Sequence, residues 1–183
     1  STEFARHIPG ITVVDQMMVE DDVALVPWLV GDEWKKIEKL KAKYLFGHFE
    51  LPSFYMNAMV QMPDHGELKA EHFKNQEYVF SGHFHKRQKQ GKVHYIGNAF
   101  PHNYADAWDD ARGMMILDKE NNVEPLYIDW VDCPKYRTVK LSQLIDEKDT
   151  LIKPNMYMRV TLDIDISYEE ASFIKETFME QYE

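Results

Sequence analysis

Tyr78-Val79-Phe80-Ser81-Gly82-His83-Phe84-His85 is the stretch on which the fold turns. Tyr78-Val79-Phe80 is a short apolar run of β-forming residues, which reads as a strand. It feeds directly into Ser-Gly-His-x-His. Glycine there lets the backbone turn sharply and lets a metal or phosphate come close. The same design stands upstream in Leu45-Phe46-Gly47-His48. Open α/β sheets carry their sites at the carboxyl ends of strands, so both Gly-His pairs are expected there. His83 and His85 are two apart. In an extended segment such side chains project to one side, roughly 6.5 Å apart along the backbone. That span suits metals roughly 3.5–4 Å apart, one imidazole on each. A lone Gly-His also occurs as a structural or exposed histidine; the repetition at two strand ends favours ligation.

Working outward, residues 23–28 (Val-Ala-Leu-Val-Pro-Trp) and 44–46 read as strands covered on both faces, the first stopped by Pro27. Asp32 stands where it can cap a helix over 33–43, with Trp34, Ile37 and Leu40 as its apolar stripe. Residues 11–19 read as one or two short strands, 67–75 as a modest helix, and 93–96, 113–118 and 125–131 as strands. The segment 157–166 alternates polar and apolar residues, a strand with one dry face. Ser167 and Glu170 have capping-box spacing ahead of an amphipathic helix bearing Ile174, Phe178 and Met179. The class is α/β (α+β). A change of character near 138–151 divides the chain into a main unit, 1–137, and the start of a small second unit, 138–183.

The chain has 183 residues and a net charge of −10. That argues against gripping nucleic acid by bulk charge and leaves local basic patches open. One cysteine, Cys133, excludes an internal disulfide framework and fits a reducing, cytoplasmic compartment. No run of about 20 apolar residues is present for a membrane span. Lys86, Arg87, Lys89 and Lys92 follow His85 closely; they read either as cations for a substrate phosphate or as a solvated hairpin turn. His102, in the 97–112 loop, is a further candidate for reaching a phosphate. Phe100, Tyr104 and Trp108 in the same loop read as a stack for unpaired bases or, more simply, as loop packing.

Gly47-His48 followed by Gly82-His83-Phe84-His85 resembles the last two signature motifs of the calcineurin-like metallophosphoesterases. Tyr44-Leu45-Phe46-Gly47-His48-Phe49-Glu50-Leu51, Val93-His94-Tyr95-Ile96-Gly97 and Asp110-Ala111-Arg112-Gly113 extend the likeness to the SbcD-type DNA nuclease subunits, phage members among them. The resemblance covers most of the chain, weakly after Thr138. It implies a ββα sandwich with two manganese ions in the intact family, weakly held or absent in this chain alone, with His48 and His83 on the second metal and His85 on the first. The family's earlier Asp-x-His, Gly-Asp and Gly-Asn-His-Asp motifs have no counterpart here, since Gly31-Asp32 opens a helix. The family's catalytic histidine and bridging carboxylate therefore lie outside this sequence, and three imidazoles over two metals lack the carboxylates that balance cation charge. The expectation is the C-terminal part of a metal-dependent DNA phosphodiesterase of recombination and repair, inactive alone. The alternatives are a non-catalytic piece that docks an SbcC-type ATPase partner, or an inert folded remnant. DNA, that ATPase and a second copy of the chain are the expected partners. The second copy follows from strands read as covered on both faces, which would otherwise expose apolar surface.

Overall fold

The computed structural model describes residues 3–57, 60–121 and 123–182. A six-stranded sheet forms its centre. β1 (Met18–Glu20) and β2 (Val23–Leu25) make an antiparallel pair, and β2 then runs parallel to β3 (Tyr44–His48). β4 (Tyr78–Gly82) lies parallel to β3, with Tyr44 opposite Tyr78 and His48 opposite Gly82. β5 (Gln88–Gln90) turns back onto β6 (Val93–Tyr95), and β6 is parallel to β4, giving the order β1-β2-β3-β4-β6-β5.

Register rows explain the layering. Ala24, Leu45, Val79 and Val93 lie side by side across the four parallel strands, and all are fully buried. Ile37, Phe49, Leu51 and Phe73 cover that face. The opposite face carries the next row, Leu25, Phe46, Phe80 and His94, with Tyr44 stacked on Tyr78 at 5.6 Å and Phe46 on Phe80 at 5.0 Å. Its cover is thinner. A hairpin of β7 (Gly113–Ile116) and β8 (Leu126–Asp129) reaches this face through Tyr127, whose hydroxyl lies 3.0 Å from His94 Nδ1. Val23, Leu25 and Phe46 stay half-buried and Trp28 is exposed. The expectation of strands covered on both faces thus holds fully for one face and in part for the other, where Tyr44, Phe80 and His94 are buried, because the second layer spans part of the sheet.

The mixed α/β class is borne out, but the local helices are weaker than their patterns. The stripe Trp34, Ile37 and Leu40 winds as a 3-10 helix, Gly31–Lys39. Its cap is Glu33, whose carboxylate accepts the Val30 N–H at 3.0 Å, while Asp32 pairs with Lys35. Residues 67–75 yield only the 3-10 turn Ala70–His72, and of 11–19 only the end forms a strand. A separate two-stranded sheet follows. β9 (Lys135–Lys140), α1 (Leu141–Leu151) and β10 (Met156–Thr161) make a parallel β-α-β pair, and α2 (Tyr168–Tyr182) follows the Ser167–Glu170 capping box, which forms at 2.8 and 3.2 Å. The change of character expected near 138–151 falls within β9 and α1. Among the described residues, no helix is long and apolar enough to cross a membrane.

Candidate functional site

The pairing of β3 with β4 is what builds the site. Because the strands are parallel and adjacent, their carboxyl ends release His48 and His83 at one edge of the sheet. His48 Nε2 stands 3.3 Å from His83 Nδ1, with the rings edge to face at 5.2 Å. Gly82 is needed for this approach. A Cβ on it would lie 2.8 Å from His48 Nδ1. The chain then bends: His83 takes φ of 89°, a left-handed value that a non-glycine residue adopts at a cost.

The loop after β3 brings a carboxylate to the same place. Glu50 Oε1 lies 3.1 Å from His83 Nε2. Glu50 is held by its buried neighbours. The Phe49 N–H donates to Ser81 Oγ at 3.0 Å, the Leu51 N–H donates to the Tyr95 hydroxyl at 3.1 Å, and that hydroxyl donates to the Phe49 carbonyl at 2.8 Å. Burial pushes the Tyr95 phenol up to about 12. Trp28, half-exposed at the end of the 23–28 segment, closes the group, its ring 5.5 Å from His48 and 5.7 Å from His83. Desolvation of the His48 ring, reinforced by neighbouring His83, lowers its pKa, so it is neutral at pH 7 with a lone pair to offer.

His85 has neighbours of its own. The bend at His83 means that residues 83–85 are not an extended segment, so same-side projection no longer follows from their spacing. His85 Nδ1 faces Asp106 Oδ1 at 3.4 Å, and its ring lies 5.2 Å from that of His102. The structure thus brings together His48 with His83, and His85 with His102.

The basic run has four separate destinations. Lys86 Nζ lies over the Tyr55 ring at 5.1 Å. Arg87 pairs with Asp129 at 2.5 Å and lies over Tyr127. Lys89 meets Glu124 at 3.3 Å, and Lys92 Nζ donates to the Phe73 and Gln76 carbonyls. Of the loop aromatics, Trp108 donates its indole N–H to the Thr138 carbonyl and Tyr104 packs on Tyr136, which is loop packing. Phe100 remains half-exposed beside His102 and Trp130.

The donors can be tested against the metal that the resemblance implies. Two nitrogens bound to one first-row cation at ~2.1 Å are about 3.0–3.4 Å apart for octahedral to tetrahedral angles. The 3.3 Å between His48 Nε2 and His83 Nδ1 fits two positions on one cation. A carboxylate beside the remaining nitrogen, as Glu50 is to His83, is the usual support of a ligating histidine. The pair does not make a whole site: among the described residues no group of three or more His, Cys, Asp or Glu side chains is gathered closely enough to hold an ion. Glu50, Trp28 and Asp106 were not singled out from the sequence. Glu50 lay inside the quoted stretch from Tyr44 to Leu51, and Trp28 just past the carboxyl end of β2, so position after strand ends was the usable signal for both.

No family model matches the chain. It is similar to exonuclease subunit 1 of Enterobacteria phage T4, with 31% identity over 128 residues, which is 66% of this chain and 37% of that protein. The chain therefore spans little more than a third of the length of the curated relative it matches.

Proposed function

We propose that this chain is part of a DNA nuclease of recombination and repair, of the metallophosphoesterase type, and that His48 and His83 are ligands of one of its metal ions, with His85 serving the other. The observation that carries this reading is the 3.3 Å approach of two imidazoles from the carboxyl ends of adjacent parallel strands, over a glycine that makes room for it. The similarity to a phage exonuclease subunit supports the substrate class, DNA phosphodiesters, and work within a multi-subunit assembly. The ATPase subunit and the second copy belong to the same reading as partners.

The chain's own residues divide the work as follows. His48 and His83 supply two nitrogen donors side by side, 3.3 Å apart. Glu50 takes the Nε2 side of His83 and leaves Nδ1 for ligation. Ser81 and Tyr95 hold the loop that carries Glu50, and Trp28 screens one side of the pair from water. The paired ions would supply an activated water and charge stabilisation at the phosphate. The two imidazoles bring no negative charge, so this chain alone is expected to bind manganese weakly and without turning over a phosphodiester.

Calorimetric titration with manganese tests the reading, with His83→Gln as control. Binding that the substitution removes, with no hydrolysis of bis-p-nitrophenyl phosphate, is the expected result. Wild-type binding that survives His83→Gln, or no binding at all, would sink it.

A further inference from the structure

The loop between β6 and β7 buries a charged group that the reading above leaves without a task. Asp106 ends a 3-10 turn, Tyr104–Asp106, capped by Asn103, whose side chain accepts the Ala105 N–H at 2.8 Å. Its carboxylate is 4% exposed, deep for an aspartate, and each oxygen is placed. Oδ2 accepts the His102 N–H at 2.8 Å. Oδ1 faces Arg112 Nη2 and His85 Nδ1, each at 3.4 Å.

Arg112 locks this arrangement. Its side chain is fully buried. One arm of the guanidinium donates to the His85 carbonyl at 2.5 Å, and the other meets Asp109 Oδ2 at 3.0 Å as well as Asp106. Nε donates to the Asp109 carbonyl at 3.1 Å. One rigid planar cation therefore spans the main chain of His85 and the carboxylate of Asp106, and so sets the distance between that carboxylate and the imidazole. Two carboxylates against one guanidinium leave one negative charge behind the ring.

A neutral imidazole has one N–H to place. Nδ1 without a proton would turn a lone pair on a buried carboxylate oxygen, two acceptors face to face. Nδ1 carrying the proton turns a donor toward that oxygen, across an ion-pair approach of 3.4 Å. We propose that Asp106 is a positioning residue: it holds His85 in the Nδ1–H tautomer and in one ring orientation, so that the Nε2 lone pair faces outward as the ring's donor atom. The use of that lone pair as a metal ligand rests on the nuclease reading; the tautomer does not.

Two arms separate these. Nitrogen-15 NMR of the histidine rings at pH 8, with His85 assigned by its loss in His85→Gln, reads the tautomer in the intact chain without metal. The expected result is a protonated Nδ1 and a free Nε2, with Asp106→Ala shifting the population toward Nε2–H while far-UV circular dichroism is unchanged. A wild-type His85 that is mainly Nε2–H overturns the proposal, and so does a folded Asp106→Ala that keeps the Nδ1–H form. If Asp106→Ala does not fold, the wild-type tautomer alone decides. Calorimetry with manganese is the second arm, where Asp106→Ala is expected to weaken the binding that His85 contributes by about 10–100-fold. Failure of the nuclease reading shows differently, as a wild-type chain that binds no metal whatever its tautomer.

Discussion

Gly82→Ala separates the folding role of the Gly-His motif from its binding role. Gly82 does not have a positive φ, so alanine meets no backbone penalty there. Replacing glycine at a compatible position stiffens the unfolded chain and gains about 0.4–1 kcal/mol. Against this stands one contact, the new Cβ at 2.8 Å from His48 Nδ1 and 3.3 Å from Cε1. Ordinary contact needs ~3.5 Å, so the ring must retreat by about 0.7 Å. His48 is exposed and can swing outward, so stability should stay within about 1 kcal/mol of wild type. A metal bond tolerates about 0.2 Å of error. The displaced nitrogen therefore leaves its 3.3 Å relation to His83. Manganese affinity should fall about 10–100-fold, or 1.4–2.7 kcal/mol, by calorimetry. Urea denaturation serves as the control for folding. His48→Ala should lose as much, and the double variant no more than His48→Ala alone, since both changes act through one ligand. An unchanged Kd in a normally folded Gly82→Ala would refute the role given to His48.

Further outcomes follow from the same geometry. His83 holds φ of 89°, so His83→Gly should be more stable than His83→Ala by about 1–3 kcal/mol in urea although both lose the ring; equal stabilities would mean the bend stores no strain. The Tyr95 phenol is raised to about 12, so its stabilising effect is whole below the unfolded value near 10 and is lost as pH rises through the folded one. Wild type should lose about 3 kcal/mol from this group between pH 10 and 12, and Tyr95→Phe should lack that alkaline loss while paying about 1–3 kcal/mol at pH 8 for the orphaned Leu51 N–H; parallel alkaline curves for the two proteins would contradict it. Met114, Ile116, Leu126, Ile128 and Trp130 stand exposed on and beside the β7–β8 hairpin, so sedimentation at micromolar concentration should show a mass that rises with concentration; a constant 21.7 kDa species would show that this surface needs no partner.

How much of this was legible in the sequence follows from how local each feature is. β3 and β4 were legible because a short apolar run ending in Gly-His has one economical reading, and the rule for strand ends then places both imidazoles without any contact being known. The helices were overread because Trp34, Ile37 and Leu40 satisfy a spacing that a 3-10 helix also tolerates over two turns. β9 was not expected because Lys-Tyr-Arg-Thr-Val-Lys carries little apolar content. Its inward Arg137 is made acceptable by Asp110, which holds it with both oxygens, and that pairing joins residues 27 positions apart. Asp106 was invisible for the same reason. A polar residue in a loop reads as solvated, and only Arg112, itself read as part of a motif and not as a buried cation, turns the carboxylate inward.

The bend at His83 is the feature that most changes the meaning of the motif. Read as an extended segment, Gly-His-x-His presents two ligands to one side. With φ positive at its first histidine, the two have different neighbours: His83 meets His48 and Glu50, and His85 meets Asp106 and His102 of the β6–β7 loop. Each imidazole thereby acquires its own carboxylate, Glu50 at 3.1 Å and Asp106 at 3.4 Å. On the proposed nuclease reading, with one imidazole for each of two ions, the bend at His83 gives each ring its own supporting carboxylate.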